Sequence, residues 1–476
     1  MNAPAAPPAA LAELTAIPAI TIRGRRDRRS AVRFTMMLLL VLAFAACQDR
    51  KLFREGELLQ GQSFFLQAVE KYEAFIKENP QSELAAQARE RIGECYSEYG
   101  KQQAKLQRFD NSVIATEALV EKYADTEAAK RGGAKSSLAF FRAKAGDRFF
   151  ELTDYAAAQQ VLAKLIASDA ADEYQKRARN ILDEIGKIAF ATEKGLWAIN
   201  PDGSSLRQLA KKGIDPTLSA DGRYLAYVEP PKQTAQRLQG ELMQVEVETG
   251  KISQLLKAGI AWDPSWSPVD DRIAVNKGDF FQIIRAKSDD KESFPSAAEA
   301  GFTEGGEPLF HRLVGWSPKG NQLLAVQQRS SSGKYRLVTL SSSFSEASAV
   351  TTWKARNNGA DGSFRDAAWA PDGKRLAFAV ADGVFLVHPS GTDLYKLIDS
   401  PSMGWDVTAI AFSPDAKMLG MVGRRAGDDT YHLSIVDVQK KITEIPLPVA
   451  EVGALLPHSL AWGRGRMSPS AGRAEP

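Results

Sequence analysis

A short motif recurs five times in the second half of the chain, and this repeat limits the possible folds more than any other feature. Each copy places an apolar or aromatic residue before a polar turn of the Ser-Pro-Asp-Gly type, and an apolar segment follows the turn. Such a turn reverses the chain, so that the two flanking segments can pair as a hairpin. The central residues recur about 43 to 53 residues apart: Leu218, Trp266, Trp316, Trp369 and Phe412. This spacing is the length of a four-stranded blade and predicts a β-propeller.

The two ends of this region predict how the propeller closes. A sixth central strand is expected at 458–462, after which no further strands follow. Three short strands near the start of the region lack a central strand of their own: 188–192, 196–200 and 206–209. A composite blade made of these four strands would join the two ends and remove exposed sheet edges. The count predicts six blades over residues 187–466.

These repeats resemble the propeller of the TolB family, whose units carry the same aromatic-Ser-Pro-Asp-Gly core and the Asn-Pro-Asp-Gly turn found here at 200–203. The resemblance implies a six-bladed propeller that works in the periplasm by binding other proteins. TolB proteins carry a small α/β domain before the propeller and are not lipidated, and this chain differs in both respects. The resemblance therefore extends to the fold and to the general role of a binding platform.

Residues 47–186 have a different character. They are rich in Ala, Glu, Lys, Gln and Leu, and apolar residues recur at spacings of three and four, which predicts helices throughout. A first tetratricopeptide-like unit is indicated by its small, close-contact, aromatic and terminating residues: Gly56, Ala68, Tyr72 and Pro80. Two further units are indicated by the corresponding residues: Gly93, Tyr96, Ala115, Leu119 and Tyr123, then Gly146, Phe149, Ala158 and Leu162. The expected fold class is multidomain, a tetratricopeptide-like α-solenoid followed by an all-β six-bladed propeller.

The segment 68–96 resembles the tetratricopeptide units of envelope proteins such as the Bam-complex lipoprotein and the periplasmic partners of the Tol system. In that family the concave face of the solenoid binds an extended or helical segment of a partner. The alternative is a helical bundle that only spaces the propeller from the membrane.

The N-terminal segment predicts export and lipidation. A basic stretch at 23–33 precedes a charge-free, almost wholly apolar run at 34–46, and Cys47 follows. Such a run is too short to span a bilayer comfortably but suits a secretory signal. Its end, Phe-Ala-Ala-Cys at 44–47, resembles a lipobox, the site where bacterial lipoproteins are acylated on the cysteine and cut before it. Cys47 is therefore the predicted lipidation site; a cleaved signal with a chance cysteine, or an uncleaved anchor, is the alternative.

The residue after the cysteine predicts the destination. Gln48 stands where an Asp would favour retention in the inner membrane, so an outer-membrane lipoprotein facing the periplasm is expected, with an inner-membrane anchor or secretion as alternatives. Residues 1–46 are then leader and signal, and 467–476 are a disordered tail. The other cysteine, Cys95, lies on an apolar helical face and is expected to be a buried core thiol.

Three acidic residues form the candidate site of the propeller. Asp215, Asp263 and Asp366 stand three residues before the central residue of their repeats, at the mouth of the expected channel. Converging carboxylates could hold a hard cation such as Ca²⁺. The other three blades have no carboxylate there: Leu313, Ala409 and Ser459. The alternative is that each Asp accepts backbone N–H bonds before its strand.

Charge and motifs indicate a binding protein rather than an enzyme or a nucleic-acid binder. The 61 basic and 58 acidic residues are mixed along the chain and leave a formal charge of +3, which gives no broad basic surface. The four histidines are scattered without metal-ligand spacing, and no nucleophile elbow or phosphate loop is present. We expect no catalytic residue and no cofactor other than Ca²⁺ at the three aspartates.

The expected function is a lipid-anchored scaffold that binds other envelope proteins in assembly, integrity or transport. The alternative is a propeller that binds a glycan or other small ligand as a subunit of an uptake or degradative system. An aromatic-lined channel mouth would favour the small ligand, and an apolar groove along the helices would favour the protein partner. The sequence does not specify the oligomeric state.

Overall fold

A computed structural model of the chain describes residues 50–131, 133–230, 240–277, 280–286, 291–294, 303–304, 307–329, 334–342, 347–354, 364–437 and 439–464. Cys47, the predicted signal segment and the predicted tail lie outside these residues. The chain forms two compact units, one ending at Leu138 and the other beginning at Ala139. Among the described residues, no helix has the length and apolar character needed to cross a membrane.

Helices occupy the first part of the described chain. They are α1 (50–61), α2 (Phe65–Glu78), α3 (Leu84–Lys105), α4 (Phe109–Lys122), α5 (Glu127–Lys130), α6 (Ala134–Glu151), α7 (Tyr155–Ile166) and α8 (Asp172–Ile185). The predicted apolar spacing explains their packing. In α2, the buried residues are separated by one, three and three positions along the sequence, so they share one face: Ala68, Val69, Tyr72 and Phe75.

Three helical hairpins turn in the same way. Ser63, Gln107 and Thr153 precede α2, α4 and α7, and their φ angles are 64°, 57° and 59°. The next residue in each turn has a φ near −90° and a ψ of 61° to 72°. The turns lie 44 and 46 residues apart, which is longer than the 34-residue tetratricopeptide period. A helical repeat is therefore present, and its tetratricopeptide identity remains a prediction.

Glycines let the paired helices approach closely, as the sequence predicts. A Cβ on Gly56 would lie 2.7 Å from Cε1 of Tyr72, and a Cβ on Gly146 would lie 2.3 Å from Cδ2 of Leu162. Both distances are shorter than any stable contact between carbon atoms. The first and third hairpins therefore need a residue without a side chain at these positions.

The middle hairpin uses a different glycine from the one expected. A Cβ on Gly100 would lie 3.1 Å from Oγ1 of Thr116 on α4, which makes Gly100 the counterpart of the other two glycines. A Cβ on Gly93 would instead meet Thr126, beyond the end of α4. The two glycines are seven residues apart on α3 and so lie on the same helical face, which is why the pattern did not separate them.

Strands occupy the rest of the chain. They are β1 (Lys187–Thr192), β2 (Gly195–Ile199), β3 (Arg207–Ala210), β4 (Ile214–Leu218), β5 (Tyr224–Glu229), β6 (Gly240–Glu246), β7 (Ile252–Trp266), β8 (Arg272–Lys277), β9 (Phe280–Arg285), β10 (Lys291–Phe294), β11 (Thr303–Glu304), β12 (Glu307–Trp316), β13 (Gln322–Arg329), β14 (Lys334–Ser341), β15 (Ala347–Lys354), β16 (Phe364–Trp369), β17 (Leu376–Val380), β18 (Gly383–Val387), β19 (Tyr395–Asp399), β20 (Trp405–Phe412), β21 (Met418–Arg425), β22 (His432–Asp437), β23 (Ile442–Glu444) and β24 (Leu455–Gly463). Two short helices, α9 (Ser400–Met403) and α10 (Val449–Val452), lie between them.

The strands form six antiparallel blades. The sheet orders are β24-β1-β2-β3, β10-β9-β8-β7-β6-β5-β4, β11-β12-β13-β14-β15, β16-β17-β18-β19 and β20-β21-β22-β23. The seven-stranded sheet contains two blades, because β7 pairs with β6 along its first part and with β8 along its last part. The predicted fold class, helices followed by a six-bladed propeller, is confirmed.

The predicted composite blade closes the propeller. β24 pairs with β1, with Trp462 opposite Ile188 and Gly463 opposite Lys187. Oγ1 of Thr192, at the end of β1, donates a hydrogen bond of 2.5 Å to the carbonyl of Val452 in α10. The last strand therefore completes the first sheet, and no exposed edge remains on that side of β1.

The third helical hairpin lies in the same compact unit as the propeller and bonds to it directly. The Tyr155 hydroxyl of α7 donates a 2.6 Å hydrogen bond to Oδ2 of Asp415, in the turn after β20. Nε1 of Trp462 donates a 2.8 Å bond to the carbonyl of Ile185, the last residue of α8. The predicted limit at residue 186 separates helices from strands, but the compact unit begins earlier, at Ala139.

Candidate functional site

The central aromatic residues of the motif pack between blades. Trp266, Trp316, Phe412 and Trp462 are all at most 8% exposed. Trp316, for example, packs with buried residues of the preceding blade and of its own blade. These four residues and the partly exposed Trp369 also line the cavity that the innermost strands surround.

A β-bulge interrupts each innermost strand. The pairing shifts between Ile214 and Thr217, Trp262 and Ser265, Leu313 and Gly315, Phe364 and Asp366, and Val407 and Ala409. The same irregularity occurs where β24 meets β1. Asp215 and Asp263 lie in these bulges with φ angles of 51° and 45°. A bulge bends a strand and redirects a side chain, so this device sets the direction of the residues at the channel mouth.

The innermost strands surround a cavity of about 530 Å³. Asp215, Asp263 and Asp366 all line it, so the structure brings the three predicted residues to one site. Basic groups line the same cavity: Arg365, His458 and Arg464. Within the part of the chain that the structure describes, no three His, Cys, Asp or Glu side chains are grouped closely enough to hold a metal ion. Ca²⁺ binding stays a prediction.

Asp366 links two blades. Its Oδ1 accepts a 2.8 Å hydrogen bond from the backbone N–H of Ala367, and its Oδ2 accepts a 2.8 Å bond from the N–H of Ile410 on β20. This is the structural role that the sequence left open as the alternative to a cation site. A carboxylate that accepts two N–H bonds is well stabilised in its charged form.

Asp215 has different partners because the residue beside it in the next blade has no backbone N–H to donate. Pro264 is the counterpart of Ile410 in the next blade, and proline has no N–H. Asp215 instead faces the composite blade. The Ser459 hydroxyl accepts a bond from the Asp215 N–H at 3.2 Å and lies 3.4 Å from Oδ1, to which it can donate. The two aspartates thus tie their strands to neighbours on opposite sides.

Other polar side chains make similar links around the channel. Oγ1 of Thr217 accepts a 3.0 Å bond from the N–H of Trp266. Asn276 on β8 binds both backbone groups of Leu313, accepting from its N–H at 3.0 Å and donating to its carbonyl at 3.2 Å. Nδ1 of His458 lies 2.9 Å from the carbonyl of Thr408. Sequence reasoning missed Asn276, because it lies on a second strand, outside the repeated motif.

Arginines link the blades near the turns. Arg272 donates a 2.9 Å bond to the carbonyl of Gly320 in the next blade, and its guanidinium lies 4.6 Å from the centre of the Trp316 ring. Arg375 occupies the equivalent position, six residues after its central tryptophan, and donates a 2.7 Å bond to the carbonyl of Ala416. The spacing from the motif could have predicted this pair.

The fold and the channel define a six-bladed β-propeller preceded by helical repeats. No family model matches the sequence, and a search of curated proteins finds no relative. Among solved structures, the chain is similar to TolB from Acinetobacter baumannii, with 15% identity, a TM-score of 0.45, and coverage of 64% of this chain and 72% of that one.

Two other solved structures are similar at the same low level. A structure of a nidogen/laminin complex is 9% identical, with a TM-score of 0.44 and coverage of 59% of this chain and 99% of that one. Oligogalacturonate lyase in complex with manganese is 13% identical, with a TM-score of 0.36 and coverage of 54% and 73%. Similarity at this level does not identify a function.

Proposed function

We propose that this chain is a binding protein of the bacterial cell envelope, a scaffold anchored by lipid at Cys47 that holds other envelope proteins during assembly, maintenance or transport. The observation that carries the proposal is that polar side chains at the channel bind the protein's own backbone. Asp366 and Asn276 bind backbone groups of neighbouring blades, and this stiffens the ring. A rigid ring is suited to presenting a fixed surface to a partner.

Features of the N-terminal sequence support the proposed location. The basic stretch, the apolar run and the Phe-Ala-Ala-Cys end are the parts of a lipoprotein signal. Two or more acyl chains hold a protein stably at a membrane, whereas one chain binds only marginally. The resemblance of the repeats to the TolB family supports the same compartment.

Exposed apolar residues support a role for the helical hairpins. Leu106 and Leu152 stand directly before the positive-φ residue of their turns, and both are 57% exposed. Ile114 on α4 is 65% exposed. Repeated exposure of leucine at one position of a helical repeat is suited to contact with a partner.

Two labelling and capture experiments test this proposal. Metabolic labelling with a fatty acid should mark the wild-type protein and not Cys47→Ser, and equal labelling of both would contradict the anchor. Crosslinking in intact cells should recover envelope proteins, and Leu106→Ser should reduce that recovery. Val269→Ser is the matched control, because Val269 is a similarly exposed apolar residue in a propeller turn.

A small ligand in the channel is the second candidate function. The cavity of about 530 Å³ lies within the range of small-molecule sites, and this volume is the observation in its favour. Aromatic residues line the cavity, as a glycan site would need, but all of them except Trp369 are at most 8% exposed, which leaves little ring surface for stacking: Trp266, Trp316, Trp369, Phe412 and Trp462. Calorimetry of the purified chain with oligosaccharides tests this candidate. If oligosaccharides bind and crosslinking recovers no envelope proteins, small-ligand binding replaces the scaffold as the proposed function.

A further inference from the structure

A compact group of charged side chains lies at one end of the blade formed by β20–β23. His432, the first residue of β22, contacts two carboxylates with its two ring nitrogens. Nε2 lies 2.7 Å from Oδ2 of Asp428, in the turn before β22, and Nδ1 lies 2.7 Å from Oε1 of Glu444, at the end of β23. The ring is also 6.2 Å from the Trp405 ring, edge to face.

This geometry requires a charged imidazole. Neutral histidine has one N–H and can donate to only one of two carboxylates, whereas the imidazolium donates from both nitrogens. With neutral His432, one of the two short contacts would place a nitrogen lone pair against a carboxylate oxygen. Both contacts therefore coexist only while His432 holds its second proton.

We propose that His432, Asp428 and Glu444 form a proton-operated latch, which holds the turn at 426–431 on the end of the blade while His432 is protonated and releases it when the proton leaves. The other charged groups around the latch determine which contact opens. Glu444 also accepts a 2.9 Å bond from Arg425 of β21. The Asp428 carboxylate has its remaining bonds with Thr430 of its own turn, and the start of the turn is held by backbone bonds from the N–H of Ala426 to the carbonyl of Gly404 at 2.8 Å and from the N–H of Asp428 to the carbonyl of Arg425 at 3.0 Å. Loss of the proton therefore loosens the turn beyond these backbone bonds and leaves β23 in place.

The surrounding groups also set the direction of the pH response. Partial burial disfavours the charge on His432, but the hydrogen bonds that the ring donates to Asp428 and Glu444 outweigh it and raise the pKa of His432. The pKa of Asp428 is lowered by the hydroxyl and the N–H of Thr430 and by His432. Nearby, Arg424 pairs with Asp406 at 3.1 Å on the adjoining strands and faces Asp429 in the turn.

These shifts define the pH window of the latch. A raised histidine pKa gives stabilisation that is complete below about 6.5, the unfolded value, and is lost as the pH rises through the folded value. A lowered Asp pKa gives stabilisation that is lost only when the pH falls through that lower value. The latch is therefore closed below about pH 6.5 and opens as the pH rises through the raised pKa of His432.

Hydrogen exchange of the full chain tests the latch. Protection of the segment 426–431, corrected for the intrinsic exchange rate, should fall severalfold between pH 6 and pH 9 in the wild type. His432→Gln should give low protection at every pH. His388→Gln is the control, because His388 is an exposed histidine of another blade that bonds Ser390, and it should keep the wild-type response.

Nuclear magnetic resonance of ¹³C-labelled histidine provides the second readout. The signal missing in His432→Gln identifies His432, and it should titrate above pH 6.5 in the wild type and at lower pH in Asp428→Asn and in Glu444→Gln. A wild-type segment whose protection does not change with pH, or a His432 midpoint that neither carboxylate variant lowers, would overturn the proposal.

Discussion

The helical hairpins and the propeller are both built from repeats, but they are stabilised over very different distances along the chain. In the first hairpin, the buried Tyr72 donates its hydroxyl to Gln60, 12 residues away. Where the propeller closes, Trp462 of β24 donates to the carbonyl of Ile185 at the end of α8, 277 residues away. Local contacts stabilise each hairpin on its own, whereas the ring depends on joining its two ends. The difference predicts that closure residues are the most sensitive positions in the molecule.

The largest effect is expected at the closure. Trp462→Ala removes a ring that is 8% exposed and its hydrogen bond to Ile185, and it should lower the free energy of unfolding of the propeller by about 3–5 kcal/mol. All eight tryptophans lie between residues 197 and 462, so the fluorescence of a urea titration reports on the propeller. Trp462→Phe, which keeps most of the volume, should cost about 1–2 kcal/mol. An unchanged urea midpoint in Trp462→Ala would contradict the expectation that the propeller depends on the closure of its two ends.

The links between blades should give the next largest effect. Asp366→Ala leaves the N–H groups of Ala367 and Ile410 without their carboxylate acceptor, which we expect to cost about 2–3 kcal/mol. Asp366→Asn keeps one oxygen and should cost less. The measurement is the same urea titration, repeated with millimolar Ca²⁺ and with a chelator. If Ca²⁺ stabilises the wild type but not Asp366→Ala, the residue is a cation ligand and the structural explanation is wrong.

The propeller could be predicted from the sequence because the same short motif recurs in each blade. The aromatic residue, the tight turn and the apolar strand of one motif are near neighbours in the chain, so their pattern is visible without the structure. The composite blade was predicted for the same reason: the observed β24, Leu455–Gly463, contains the expected strand, and β1–β3 match the three expected partners within two residues at each end.

The contacts between repeats could not be predicted in this way. Asn276 and the His432 group bind across strands that the motif does not relate, and nothing in the local sequence specifies those partners. Gly93 and Gly100 share a helical face, so only the packing against Thr116 separates them. The three aspartates look equivalent in the sequence. The partners of Asp215 and Asp366 differ because Pro264 stands beside Asp215 at the position where Ile410 gives its N–H to Asp366.

A smaller and more local effect is expected in the first hairpin. Gly56→Ala would place a Cβ 2.7 Å from the rigid, fully buried ring of Tyr72 and should destabilise the hairpin by about 1–3 kcal/mol. Gly61→Ala, near the end of the same helix with no atom within 4 Å of the added Cβ, is the control and should be neutral.

Cys95 provides the readout for the first hairpin. Burial, together with the charge of Glu94, raises the pKa of the Cys95 thiol to about 12, so a maleimide should label it very slowly in the native protein at pH 8. In a Cys47→Ser background, Cys95 is the only thiol. Gly56→Ala should speed its labelling, and Gly61→Ala should not. Equal rates in the two variants would show that the close approach of the helices does not limit stability.

The smallest effect is expected where a helical hairpin and the propeller bond to each other. Tyr155→Phe removes the 2.6 Å bond to Oδ2 of Asp415, but Oδ1 of that carboxylate keeps its bonds from Ser413 and from the N–H of Lys417. Because the charge stays solvated by these donors, we expect a loss of about 1 kcal/mol in the tryptophan-detected unfolding. Tyr174→Phe on α8, whose hydroxyl bonds no other described residue, should have no effect.

A double variant of Tyr155 and Trp462 would show whether the third hairpin is stabilised by local contacts, as the first hairpin is, or by the closure of the propeller. The Tyr155 ring packs edge to face on Trp462 at 6.3 Å, so the hydroxyl and the closure strand are neighbours. If the energies of Tyr155→Phe and Trp462→Ala add in the double variant, α7 is held by the propeller independently of the closure. If the double variant is no less stable than Trp462→Ala alone, the hairpin contact exists only in the closed ring, and α7 depends on the long-range pairing rather than on its own hairpin.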